Sequence, residues 1–257
     1  MIELIEAKQF HSFTQSGYSH PARVTCSRVD GSKVHVYVKF GGAVRNREFG
    51  LTAEVVCSLL ARELGLETPR AFLVNVSPAF LAAAPIQAQD VIRRSLGINF
   101  GTERAPAGFS VVPQNPTVPP ALRSLAAEIF AFDVIVQNYD RKTDNPNLLW
   151  SPTKILVIDH EGALGSVLRT AAPSQGSLEL DKFYDHVFYA AISPEDADYS
   201  RLAEAIGHVS NSLLKEMLGE VPSQWQVKED LAKVEQHLLW VVENRSQICS
   251  LIRERLS

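Results

Sequence analysis

The most constraining stretch of this chain runs from residue 121 to residue 161. Residues 121–137 are apolar at helical spacing, with Pro119-Pro120 at the entrance, where proline's fixed φ suits a first helical turn. They lead directly into Asn138-Tyr139-Asp140-Arg141-Lys142-Thr143-Asp144-Asn145-Pro146, a polar, turn-rich segment. Two short apolar runs follow, 147–150 and 155–158, joined by Ser151-Pro152-Thr153-Lys154, which reads as a hairpin. The second run ends on Asp159. A carboxylate at the end of a buried strand is costly unless it is paired or holds a metal. Asp, Asn and Pro also gather in ordinary turns, so a chemical reading of this segment needs matching parts elsewhere in the chain.

The first third supplies candidates. Residues 23–29 alternate loosely, Asp30-Gly31-Ser32 is a hairpin turn signal, and Val34, Val36 and Val38 then alternate with Lys33, His35, Tyr37 and Lys39. Residues 47–64 change to helical spacing, with Val55, Val56, Leu59, Leu60 and Leu64 on one stripe and Gly65 as a C-cap. Residues 71–76 form a short β-rich run. The order is strand, strand, helix, strand. Residues 78–120 hold seven prolines, from Pro78 to Pro120, and read as one or two short helices followed by a long loop able to lie over a cleft. Residues 180–257 read as helical, and residues 231–256 as an amphipathic helix whose stripe packs on the domain.

Transfer of a phosphoryl group from ATP uses such a set of parts. One carboxylate, here Asp140, orients the attacking hydroxyl and accepts its proton. Hard oxygen donors, here Asn145 and Asp159, hold Mg²⁺. The five-residue step from Asp140 to Asn145 equals that of the protein-kinase catalytic loop. Lys39, closing an alternating strand, is placed to meet the phosphates, and Glu54 on the next helix is placed to hold it, with Glu48 as the competing partner. Ser16-Gly17-Tyr18-Ser19, with Gly17 at its centre, is a candidate phosphate-covering turn. The absence of G-x₄-G-K-[ST] rules out a P-loop enzyme.

Composition narrows the setting. A net charge of −4 over 257 residues argues against direct nucleic-acid binding, which needs clustered Lys and Arg. No apolar run approaches the roughly 20 residues of a membrane span. Glu3 and Glu6 stand where a secretory signal needs positive charge, so the expectation is a cytoplasmic protein without membrane attachment. Cys26, Cys57 and Cys249 follow no zinc spacing and read as reduced, buried thiols.

These residues together resemble the HipA-like kinases, a bacterial branch of the kinase fold related in pattern to phosphatidylinositol kinases. Tyr37-Val38-Lys39-Phe40 is similar to the family's ATP-lysine strand. Glu54, Cys57, Leu60-Ala61, Leu64-Gly65 and Pro69 are similar to its helix and following loop. Asn138-Tyr139-Asp140-Arg141 with Asn145-Pro146-Asn147-Leu148-Leu149 is similar to its catalytic loop, and Ile158-Asp159-His160-Glu161 to its metal-binding turn. The resemblance implies an α+β, two-lobed, protein-kinase-like fold, with a β-rich N-lobe over residues 1–78 and a helical C-lobe over 79–257. It implies Asp140 as catalytic base, Asn145 and Asp159 as metal ligands, and Lys39 on the ATP phosphates. Leu73, Val74, Asn75 and Val76 would be a hinge bonding adenine. Asn138 and Arg141 would shape the loop, and His160 would be structural. The implied activity is ATP- and Mg²⁺-dependent phosphorylation of a protein Ser/Thr hydroxyl, in a toxin or phage-defence setting, with an antitoxin as a partner. A lipid or small-molecule kinase and a non-catalytic nucleotide-binding or antitoxin-like module are the alternatives.

Overall fold

The computed structural model describes residues 1–14, 20–44, 47–170, 172–174 and 178–256. Five strands, β1 (Glu3–Phe13), β2 (Ala22–Ser27), β3 (Lys33–Lys39), β4 (Ala71–Val76) and β5 (Gly97–Glu103), close into a barrel in the order β1-β2-β3-β5-β4. The expected hairpin is β2–β3, with Ala22 opposite Val38 and Ser27 opposite Lys33. Its turn is held by Asp30, whose Oδ1 accepts from Ser32 N at 2.9 Å and Oγ at 2.7 Å, while Gly31 takes φ +82°. Alternation sends Val34, Val36 and Val38 into the barrel beside Ile5, Val24, Cys26 and Phe72, and leaves His35, Tyr37 and Lys39 on the outer face. Parallel pairing of β1 with β4, from Glu3 opposite Phe72 to Glu6 opposite Asn75, closes the ring.

Helix α1 (Arg47–Glu63) packs between the outer face of the barrel and the helical part of the molecule. It is buried on nearly every side from Leu51 to Ala61, the pattern of a helix covered by two layers. Gly65, at φ +76°, ends it as expected, and Leu66 N then donates to Ala61 O at 2.8 Å. Helices α2 (Pro78–Ala83) and α3 (Ile86–Arg93) bury Phe80, Ala88 and Ile92 in the barrel's own core. A second, larger core joins α1 to α4 (Arg123–Ile135), α5 (Ser200–His208), α6 (Asn211–Gly219), α7 (Lys228–Glu243) and α8 (Arg245–Arg255). Three short strands, β6 (Ser110–Val111), β7 (Leu148–Trp150) and β8 (Ile155–Val157), form a small sheet that contains the expected second hairpin. All three cysteines are buried free thiols. No helix among the described residues is long and apolar enough to cross a membrane.

Two expectations change, and one strand, β1, has no counterpart among them. Strand β1 carries no clean period-two signal, because register shifts between Ala7 and Gln9 and between Phe10 and Ser12 break its alternation. Strand β5 lies where a loop was expected. Its Gly101 looks like a strand breaker, yet a Cβ there would stand 2.6 Å from Val36 Cγ1 and 2.9 Å from Val74 Cγ2, so the narrow interior requires glycine. The β-rich part therefore extends past the expected boundary at residue 78 to Glu103. The C-terminal amphipathic stretch is two helices that meet at Asn244, and not one.

Candidate active site

Strand β3 runs to its last residue, Lys39, on the barrel's outer face, and α1 passes that face with Glu54 inward. The two side chains meet at 2.6 Å, both nearly fully buried. Glu48, the competing partner, is exposed in the first turn of α1. Strand β8 then delivers Asp159, whose Oδ1 lies 2.5 Å from Lys39 Nζ across 120 residues of sequence. Glu161, two residues on, adds a third carboxylate at 3.2 Å. Burial alone would lower the Lys39 pKa, but the charges of Asp159, Glu54 and Glu161 outweigh it and raise it above the ordinary lysine value. Burial raises the Glu54 pKa despite the opposing charge of Lys39. Burial also pushes Asp159 upward, and there Lys39 wins, so its pKa falls below the usual carboxylate range.

The loop after α4 brings Asp140 to the same place. Three residues mark its corners, Gln137 at φ +55°, Asn147 at +49° and Asp159 at +62°, all left-handed and all non-glycine. Such backbone persists only where its surroundings hold it. Asn145 Nδ2 donates to Asp140 Oδ2 at 3.0 Å and to the Asp140 carbonyl at 3.3 Å, and Asn147 Nδ2 donates to Oδ2 at 3.4 Å. The Asp140 carboxylate is exposed at the rim of this group. Partial desolvation and then the like charge of Asp159 raise its pKa. The turn that carries Asp159 packs tightly against it: a Cβ on Gly162 would stand 3.0 Å from Asp140 Cβ.

What holds this loop is a buried network centred on Asp133, in the last turn of α4. Asp133 Oδ2 accepts from Arg141 Nε at 2.6 Å and pairs with His186 Nε2 at 3.0 Å, while Oδ1 accepts from Asn138 Nδ2 at 3.0 Å. Arg141, wholly buried, also donates Nη1 to the carbonyls of Asn147 and of Ile158, the latter at 3.0 Å. One guanidinium thus ties the start of β7 and the residue before Asp159 to α4. Asn138 Oδ1 receives the Asp140 N–H at 3.3 Å. His160 is buried against Phe132, with ring centroids 5.8 Å apart, and forms no side-chain hydrogen bond among the described residues.

The sequence-derived set therefore divides. Lys39, Glu54, Asp140, Asn145 and Asp159 converge. Leu73, Val74, Asn75 and Val76, expected as a hinge, form β4, paired with β5 throughout and with β1 as far as Asn75, so the backbone from Leu73 to Asn75 is engaged on both edges. Gly17, with Ser16 and Ser19, lies outside the described residues. Asp133, His186 and Glu161 were not singled out by the sequence. Asp133 had a legible signal, one charge inside Phe130-Ala131-Phe132-Asp133-Val134-Ile135, which must find a partner when the helix is buried.

Among the solved structures that share this fold are two kinases. The Helicobacter pylori proinflammatory kinase CtkA matches with a TM-score of 0.57 at 11% identity, covering 100% of this chain and 98% of that one. The Golgi casein kinase with Mn/ADP bound matches with a TM-score of 0.50 at 13% identity, covering 99% of this chain and 73% of that one. At these identities the likeness is one of fold. No curated protein matches the sequence. The model of the HipA-like kinase family matches residues 11–248, nearly the whole chain, and so takes in every residue of the site: this protein belongs to the HipA-like kinase family.

Proposed function

We propose that this chain is an ATP- and Mg²⁺-dependent kinase that transfers the γ-phosphoryl group to a hydroxyl, with Ser/Thr of a protein as the acceptor. The observation that carries the reading is the junction at Lys39. A buried lysine is fixed by a buried helix glutamate and lies beside Asp159, with Asp140 and Asn145 across a tight turn. In this reading the barrel, with α2 and α3, is the nucleotide-covering lobe, and the rest of the chain from the β5 exit onward is the catalytic lobe.

The donor set fits a hard divalent cation. Asp159 offers carboxylate oxygens. Asn145 commits its amide nitrogen to Asp140 and keeps its amide oxygen as a further donor. Burial, and then the like charge of Asp159, raises the pKa of Asp140 against the opposing charges of Lys39 and Arg141. Asp159 and Asn145 would hold Mg²⁺, which would supply neutralisation of the phosphates' charge. Lys39 would meet the phosphates, and Asp140, on the exposed rim, would orient the acceptor hydroxyl and take its proton. Because little covalent chemistry is asked of the protein, positioning and charge carry the rate. In this reading the base end of the nucleotide lies toward the β5 exit, since β4 is paired with β5 throughout and with β1 as far as Asn75. A groove of about 170 Å³ opens there on the Lys39 face of β3, lined by His11, Arg23, His35, Tyr37 and Arg104.

The test is phosphate transfer from γ-labelled ATP to protein and lipid acceptors, with and without Mg²⁺, for the wild type, Asp140→Asn and Asp159→Asn. The expected result is Mg²⁺-dependent labelling of protein Ser/Thr that both variants lose by at least about a thousandfold, with unchanged circular dichroism. Normal activity in both variants refutes the assignment, and labelling of lipid alone replaces the acceptor class.

A further inference from the structure

Lys39 carries three N–H donors, and three carboxylates stand against them: Asp159 at 2.5 Å, Glu54 at 2.6 Å and Glu161 at 3.2 Å. No donor is left over for a phosphate oxygen. For a phosphate to bind Lys39, one of the three must withdraw. Glu54 cannot. Its side chain is 2% exposed inside a helix packed on both sides. Asp159 and Glu161 are 21% and 14% exposed and project from the turn after β8, so they are the more exposed pair.

The position of Glu161 is built into the fold. Its side chain lies over the start of α1 at Gly50, where a Cβ would come within 3.2 Å of Glu161 Cγ and 3.8 Å of its carbonyl oxygen. The helix thus presents a bare backbone at the point where Glu161 passes on its way to Lys39.

We propose that Glu161 is a positioning residue that caps Lys39 in the nucleotide-free protein and makes nucleotide entry depend on the divalent cation. This rests on the reading above, that nucleotide phosphates meet Lys39. A bare nucleotide brings only negative charge toward a lysine already held by Asp159 and Glu161, and like charges at this distance repel strongly in a poorly solvated site. A nucleotide arriving with its cation brings part of its own neutralisation and gives Asp159 another partner, so the repulsion from Glu161 falls and the Lys39 donors are released to the phosphates. Glu161 therefore weakens the binding of bare nucleotide selectively and leaves the metal-bound form favoured.

The experiment measures binding of a fluorescent ADP analogue, mant-ADP, to the full chain in excess EDTA and in Mg²⁺. It compares the wild type with Glu161→Gln, Glu161→Ala and Glu161→Asp. In EDTA, Glu161→Gln and Glu161→Ala are expected to bind about five- to tenfold more tightly than the wild type, the scale of one lost charge contact. In Mg²⁺ all four proteins should agree within about twofold, and Glu161→Asp should keep the wild-type gap between the two conditions. Thermal unfolding confirms that each variant is folded. If the wild type binds mant-ADP in Mg²⁺ while Glu161→Gln and Glu161→Ala bind no tighter than it in EDTA, the cap is refuted and the kinase reading stands. If the wild type binds mant-ADP in neither condition, the kinase reading fails and the cap fails with it.

Discussion

Replacing Asp133 with alanine removes the buried anion on which the candidate site rests. Asp133 is fully buried, and three donors converge on its carboxylate: Arg141 Nε at 2.6 Å, His186 Nε2 at 3.0 Å and Asn138 Nδ2 at 3.0 Å. Taking one partner from a buried ion pair costs about 3–5 kcal/mol, since the other charge stays desolvated and unpaired. Two further hydrogen bonds to polar groups add about 1 kcal/mol each at most. The expected loss is about 3–7 kcal/mol, against a total of about 5–15 kcal/mol for a folded domain. With a urea m-value of about 3 kcal/mol/M, the unfolding midpoint should fall by about 1–2.3 M. Asp133→Asn keeps the shape, removes the charge and should lose part of this. Pairing Asp133→Ala with Arg141→Met should show a coupling of at least about 2 kcal/mol, because the second change removes the stranded charge. A loss under about 1.5 kcal/mol, or strict additivity, would refute the assignment of Asp133 as the anchor. Burial raises the pKa of Asp133, but Arg141 and His186 overcome this and hold it below its ordinary value. Its contribution is therefore complete above the unfolded pKa of about 3.9 and is lost as pH falls through the lower folded value.

Two other outcomes can be measured. Burial, and then the nearby charge of Arg141, lowers the His160 pKa to about 3. The folded state keeps this ring neutral, while the unfolded state takes up a proton below about pH 6.5, so stability should fall by about 1.4 kcal/mol per pH unit below that point. Buried His186 and His237 are shifted in the same direction and should add to the slope. Urea titrations at pH 7, 6 and 5 should show this loss, and Glu- or Asp-independent evidence comes from His160→Leu, which should reduce the slope by about one proton's worth; an unchanged slope contradicts the neutral buried ring. Gly101→Ala should destabilise by about 1–3 kcal/mol, since its methyl would meet Val36 and Val74 at 2.6 and 2.9 Å inside the barrel. A Tm equal to the wild type's would show that the barrel interior has room to give.

The parts of this protein that were legible in the sequence are those where one local rule acts alone. Val34, Val36 and Val38 alternate because only one face of β3 is apolar, and Asp30-Gly31 turns because Gly31 accepts a positive φ. Asp140, Asn145 and Asp159 stood out because polar residues flanked by buried elements demand partners. The failures arise where two rules compete. Strand β1 keeps its pairing by spending two bulges, which erase its period. Gly101 breaks strands by propensity and completes this one by volume, because the barrel's closure leaves no space for a side chain. Residues 73–76 satisfy every local condition for an extended segment. Whether the backbone of that segment is free to bond a base depends on β1 and β5, one from the chain's first residues and one from a stretch read as loop. The same reason hid Glu161 and the partner of Asp133. Nothing next to Asp133 or Glu161 in sequence assigns them a partner, and the charges that do, Arg141 and Lys39, reach them only when α4, the loop and the turn after β8 have closed on the barrel. A site assembled around two cations from separate segments is visible in the sequence as residue types, and its wiring becomes visible only in the fold.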